Sequence, residues 1–160
     1  MVEQQIEAAG KDKPDFLSLK AELLADDGRA DEALAVLDAA VTAHPGNPSL
    51  LNSRCWLKAT HKLALDTALK DCTRAIELSN SPANALDSRA MVYFRLGRTE
   101  EALGDLNAAL DTDPDLAAAL YMRGVVRKAA GQAGSEADLA GARMMSPRID
   151  AEYGKWGIKP

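Results

Sequence analysis

Apolar residues along this chain recur every three to four positions, which is the spacing of one face of an α-helix. A glycine then interrupts the pattern before a second apolar face begins, and an Asp-Pro pair ends this second face. Glycine favours the left-handed backbone that follows a helix end, and proline denies the next helical turn its donor. The pattern predicts pairs of amphipathic helices. One such pair is marked by Leu86, Ala90, Tyr93, Gly97, Ala102, Leu106, Ala109 and Asp113-Pro114.

The helix-pair pattern occurs four times, at a period typical of solenoid proteins. Departures from the period are confined to the turns. The second repeat has one extra residue between Lys58 and Asp66, and the fourth repeat lacks one before Ser135. Such changes leave the helix registers intact. Two of the recurring columns are Leu17, Leu51, Leu86 and Leu120, and Ala33, Ala68, Ala102 and Ser135.

These columns resemble the tetratricopeptide repeat (TPR), in which large, small, aromatic and proline positions follow at set offsets. The resemblance implies an all-α fold, an α-α superhelix in which antiparallel helix pairs form a right-handed solenoid. The first helix of each pair would line a concave groove. We expect repeats at 14–47, 48–82, 83–116 and 117–147, and a C-terminal cap at 148–160. Residues 1–13 are expected to form a helix, either a simple cap or the remnant of a preceding repeat in a longer protein.

The composition argues against two classes of function, nucleic-acid binding and membrane insertion. The net charge is −5 with both signs interspersed, whereas nucleic-acid proteins concentrate basic residues on one face. No apolar run is long enough for direct membrane insertion. The first thirteen residues lack the apolar segment of a signal peptide, so we expect a cytoplasmic protein by default, or a periplasmic one if a parent protein carries a leader. The sequence leaves the oligomeric state open.

The inventory of reactive residues does not favour an enzyme. The two histidines, His44 and His61, fall in predicted loops, and neither has a cysteine or carboxylate at metal-ligand spacing. No glycine-rich phosphate loop is found. We therefore predict no catalytic residue, no metal and no cofactor.

Arginine and aspartate occur together in two columns. An unpaired buried charge is costly, so their joint occurrence predicts a ladder of partly buried ion pairs rather than a ligand site. The first repeat, with Lys20 and Val36, lacks both partners. One common TPR variant has a similar arginine-then-small pattern. The columns are Arg54, Arg89 and Arg123 on the first helices, and Asp71, Asp105 and Asp138 on the second.

Cys55 and Cys72 occupy columns that should face each other within one helix pair. Two readings stay open: packed free thiols, because free cysteine is often buried, or a disulfide, which would imply an oxidising compartment. The sequence around them resembles TPR segments of bacterial envelope-associated proteins.

The resemblance also implies which residues face the groove. We expect an exposed apolar strip there, which usually marks an interaction site, with Trp56 as principal anchor. The alternative is that the C-terminal cap or tighter packing covers part of the strip. The groove residues are Asn52, Trp56, Asn84, Asp87, Met91, Phe94, Arg95, Tyr121, Met122, Val125 and Lys128.

Two functions follow as hypotheses. The first is a non-enzymatic scaffold or adaptor that binds a protein or peptide in its groove. The second is a structural module of a larger, possibly envelope-associated protein with no independent ligand. The basic columns of TPRs that clamp the carboxylate of chaperone tails are missing here, so we do not expect a chaperone cofactor.

Overall fold

The computed structural model of the chain describes residues 13–160, and every regular element in that range is an α-helix. The predicted all-α class is confirmed. The helix expected at residues 1–13 lies outside the described residues, apart from Lys13. The helices are α1 (Pro14–Asp26), α2 (Ala30–Ala43), α3 (Pro48–His61), α4 (Leu65–Leu78), α5 (Ala83–Arg95), α6 (Thr99–Thr112), α7 (Ala117–Ala129), α8 (Ser135–Met145) and α9 (Ile149–Gly154).

The chain forms two compact units, the second of which begins at Asn80. In the first unit α1 packs against α2 and α3 against α4, while α2 and α1 both contact α3. In the second unit α5 pairs with α6 and α7 with α8 in the same manner, and α9 packs against α8. Each unit is thus two helix pairs stacked with first helix on first helix, the arrangement that the repeat predicts.

Small residues set the distance between the two helices of a pair. In the fourth pair a Cβ at Gly124 would lie only 2.7 Å from Cγ of Leu139. There the hydroxyl of Ser135 donates to the carbonyl of Gly124 at 2.9 Å, which satisfies the polar group that replaces an alanine. The equivalent alanines of the other pairs are completely buried: Ala33, Ala68 and Ala102.

In each turn between paired helices, one backbone amide donates to the carbonyl five residues earlier. The second pair differs from the others in which residues adopt the left-handed backbone. At Gly97 the backbone is left-handed (φ 71°), and the next amide, of Arg98, donates to Tyr93 at 2.8 Å, the pattern of a glycine-terminated helix. In the second pair the extra residue places Lys62 (φ 56°) and Ala64 (φ 39°) in this region. A left-handed non-glycine residue costs roughly 1–2 kcal/mol, so the insertion is absorbed at these two positions.

Candidate functional site

The structure brings the arginine and aspartate columns together within each of the last three helix pairs. Each guanidinium donates two hydrogen bonds to one carboxylate, and each aspartate is buried. Bidentate pairs of this kind are among the strongest hydrogen bonds in proteins. The distances are 2.9 and 2.6 Å for Arg54–Asp71, 2.7 and 2.8 Å for Arg89–Asp105, and 2.8 and 2.7 Å for Arg123–Asp138.

A further cation joins two of these pairs, and the sequence analysis missed it. Lys58 donates to Asp71 at 2.8 Å, and Arg127 donates to Asp138 at 2.7 Å. Both lie four residues after the arginine of their repeat, so helical periodicity could have revealed them. The third repeat has Tyr93 at this position, with two arginine side chains over its ring at 5.7 and 4.8 Å.

The hydrogen bond to Asp71 is the main cause that raises the pKa of Arg54, and Asp105 and Asp138 act in the same way on Arg89 and Arg123. All the charges of the ladder are thus used inside the fold. Each of these ion pairs links the two helices of one pair.

Cys55 and Cys72 form a disulfide between α3 and α4, with Cα atoms 5.5 Å apart. Both residues are completely buried. The bond crosses the same helix pair as the Arg54–Asp71 ion pair.

The first helices of the first unit carry one large aromatic residue on α3, and α1 exposes two leucines, Leu19 and Leu23. Trp56 is half-buried on α3. Asn52, one turn earlier, has its side-chain oxygen buried without a hydrogen-bond donor. The hydroxyl of Ser53 donates to that of Ser18 on α1 at 3.0 Å, so the two first helices adjoin here. The exposed acids of α1 are Asp15, Glu22 and Asp26.

In the second unit, the C-terminal segment 149–160 lies on the corresponding first-helix surface. The ring of Tyr153 packs at 4.7 Å from that of Tyr121 on α7. The Tyr121 hydroxyl donates to Asp150 at 3.0 Å. On α5, Arg95 donates to the backbone carbonyl of Trp156 at 2.8 Å. The segment is therefore anchored to both first helices of this unit.

The expectation of an exposed apolar strip is wrong for the second unit. The C-terminal segment lies on this side of the unit, where Tyr153 packs on Tyr121 and Arg95 donates to the carbonyl of Trp156, in keeping with the alternative that a cap covers part of the strip. Phe94 and Arg95 are half-buried, while Asn84 and Lys128 remain exposed, the latter paired with Glu136 at 3.0 Å. The expected groove residues that are buried instead are Asp87, Met91, Tyr121, Met122 and Val125.

Asp87 is the most unusual polar residue of the second unit. It is 5% exposed, and its Oδ1 accepts no hydrogen bond. Burial alone raises the pKa of this carboxyl to about 7. Its charge is among the causes that, after burial, raise the pKa of Tyr153 well above the ordinary value.

Within residues 13–160, no group of histidine, cysteine and acidic side chains could hold a metal ion. No helix in this range has the length and apolarity needed to cross a bilayer.

Comparison with known proteins identifies the repeat. Two family models described as tetratricopeptide repeat match residues 3–48 and 83–126. The chain belongs to the tetratricopeptide-repeat family. It is 35% identical over 91 residues to TPR repeat-containing thioredoxin TDX of Arabidopsis thaliana, a match that covers 56% of this chain and 23% of the relative. The chain thus spans less than a quarter of the length of this curated relative.

Two solved structures share the fold. A thermophilic TPR protein of Thermus thermophilus, TTC0263, superposes with a TM-score of 0.78 at 18% identity, covering 96% of this chain and 86% of that one. The first TPR of Spaghetti (RPAP3), bound to the HSP90 peptide SRMEEVD, has a TM-score of 0.65 at 27% identity, covering 75% and 94%. The α-α superhelix class is thereby confirmed. It is a fold of protein–protein interaction.

Proposed function

We propose that this TPR chain is a non-enzymatic scaffold that binds an extended segment of another protein on the first-helix surface of its first unit. The observation that carries the proposal is Trp56, which is only half-buried on α3, whereas Met91 and Val125, which stand in the same repeat column, are buried. A large aromatic side chain that stays partly exposed on a first helix offers a contact to a bound segment.

The neighbouring side chains indicate the chemistry of the partner. Trp56 combines a large apolar area with a hydrogen-bond donor, the kind of residue enriched among interface hot spots. The exposed acids Asp15, Glu22 and Asp26 on α1 favour a segment with basic residues. An acidic peptide such as the HSP90 sequence bound by the Spaghetti domain would meet repulsion here.

The test begins with a library of short displayed peptides, from which a saturable ligand is selected and its affinity measured by calorimetry. Trp56→Ala should weaken binding by about 2 kcal/mol or more while the helical circular dichroism stays unchanged. Asn52→Ala should weaken it less. Leu96→Ala, an exposed position of the second unit, is the matched control and should bind normally. The peptide SRMEEVD serves as the acidic control ligand.

Two results would overturn the proposal. If no library peptide binds saturably, the chain is better described as a structural module of a larger assembly. If a peptide binds but Trp56→Ala leaves the affinity intact, the interaction surface lies elsewhere.

A further inference from the structure

One face of α1 carries a row of exposed apolar side chains. Phe16, Leu19 and Leu23 follow one another at intervals of three and four residues, which places them on the same side of the helix. Leu19 is 50% exposed and Leu23 is 52% exposed, while Phe16 is half-buried. Contiguous exposed apolar surface usually marks an interaction site. These three residues are called the α1 stripe below.

The residues equivalent to the α1 stripe on two other first helices lie where a neighbouring helix packs. Helix α3 packs against α2, and α7 packs against α6. The equivalent side chains are withdrawn from solvent, except that Ser53 is half-buried and hydrogen-bonded to Ser18. The α1 stripe therefore has the form of a surface that receives a helix. The buried equivalents are Leu50 and Leu57 on α3, and Ala119, Met122 and Val126 on α7.

Acidic side chains border the α1 stripe on one side. Residues three and four positions apart are neighbours on a helix surface, and three exposed carboxylates stand at these distances from the two leucines. On the other side, an exposed lysine and an exposed aspartate offset each other. A partner with basic side chains beside its apolar ones is favoured by this arrangement. The three carboxylates are Asp15, Glu22 and Asp26, and the offsetting pair is Lys20 and Asp27.

The chemistry of the α1 stripe favours a helix from a different protein over two other occupants. One repeat before Leu37 and Val41, the buried aliphatic residues of α2, the chain itself has Glu3 and Glu7. In the place of α2 these glutamates would meet the acidic border instead of supplying aliphatic contacts. Two copies of the chain joined through their α1 stripes would bring the same carboxylates together, and like charges in contact are unfavourable.

We propose that the α1 stripe is a docking surface for an amphipathic helix of another protein, one whose aliphatic face is bordered by lysine or arginine. The partner helix lies against α1 as α2 lies against α3. This goes beyond the binding proposed for Trp56, because it concerns a different row of residues and a helical partner. A chain with both surfaces holds two protein segments near each other, which is the work of a scaffold.

The experiment uses the full chain and two synthetic peptides with the sequence of α2, Ala30–Ala43. One peptide keeps the natural sequence. The other has lysine in place of three acidic residues that α2 exposes, Asp31, Glu32 and Asp38. In calorimetry at low salt, the lysine peptide should bind saturably and about tenfold more tightly than the natural one, because its charges complement the acidic border. High salt should reduce this ratio by screening the exposed charges.

Matched variants assign the binding to the α1 stripe. Leu19→Ser combined with Leu23→Ser should weaken binding of the lysine peptide by about tenfold or more, because the apolar area that the helix buries is lost. The helical circular dichroism should stay unchanged, since both leucines are exposed. Leu96→Ser, at an exposed leucine of the second unit, is the control and should bind as the parent does. Glu22→Gln combined with Asp26→Asn should lower the ratio between the two peptides.

Several results would overturn the inference. A lysine peptide that does not bind saturably, equal affinity of the two peptides, or unchanged affinity in the leucine variant would each do so. Binding to a chain of residues 13–160 but not to the full chain would make residues 1–12 the occupant. Sedimentation velocity that shows self-association of the parent but not of the leucine variant would make the occupant a second copy. Trp56 is intact in every variant, so the binding proposed for it fails or stands separately.

Discussion

Replacing Asp87 with asparagine should remove a pH-dependent loss of stability. Burial raises the pKa of this carboxyl from 3.8 to about 7, so between these values the folded chain holds a proton that the unfolded chain has released. Stability therefore falls as the pH rises through this window. At about 1.36 kcal/mol per pKa unit, the loss approaches roughly 4 kcal/mol. This is an upper bound, because local opening of the C-terminal segment would let water reach the charge.

The measurement is urea unfolding across this pH window, followed by Trp156 fluorescence in a Trp56→Phe background so that the second unit is observed. The difference between Asp87→Asn and its parent isolates this one group from all other carboxylates. That difference should be near zero at about pH 4 and favour the variant by as much as about 4 kcal/mol above pH 7. Asp115→Asn should follow the parent throughout. Parallel curves for Asp87→Asn and parent would refute the reasoning.

Three further predictions concern stability, each measured by urea unfolding. Arg89→Leu and Asp105→Leu should each cost about 3–5 kcal/mol because each strands a charge, while the double variant recovers most of the loss; additive effects would contradict this. Ala102→Leu should cost about 1–3 kcal/mol by overpacking, and full tolerance would mean that the helix contact is wrongly assigned. Reducing the Cys55–Cys72 bond, with a sequence separation of 17, should cost about 3 kcal/mol in the chain-entropy model; an unchanged midpoint would contradict it.

The fold could be predicted from the sequence because the same pattern of small, apolar and turn residues recurs in each repeat. The small-residue column places Ala102 at a helix contact, and Gly97 ends the preceding helix with a left-handed backbone. The joint occurrence of Arg89 and Asp105 in their columns likewise indicated which charges could meet. These inferences need only helical periodicity and the cost of an unpaired buried charge, both of which act within one repeat.

The candidate site was harder to predict because its state depends on a segment outside the repeats. Met91 and Val125 stand in the same column as Trp56, yet they are buried while Trp56 is only half-buried. Nothing in the column itself separates them. The second unit also carries the C-terminal segment, whose Tyr153 packs on Tyr121; the aromatic character of this segment was visible in the sequence, but its docking surface was not. Periodicity assigns a side chain to a helix face, whereas burial depends on what that face meets.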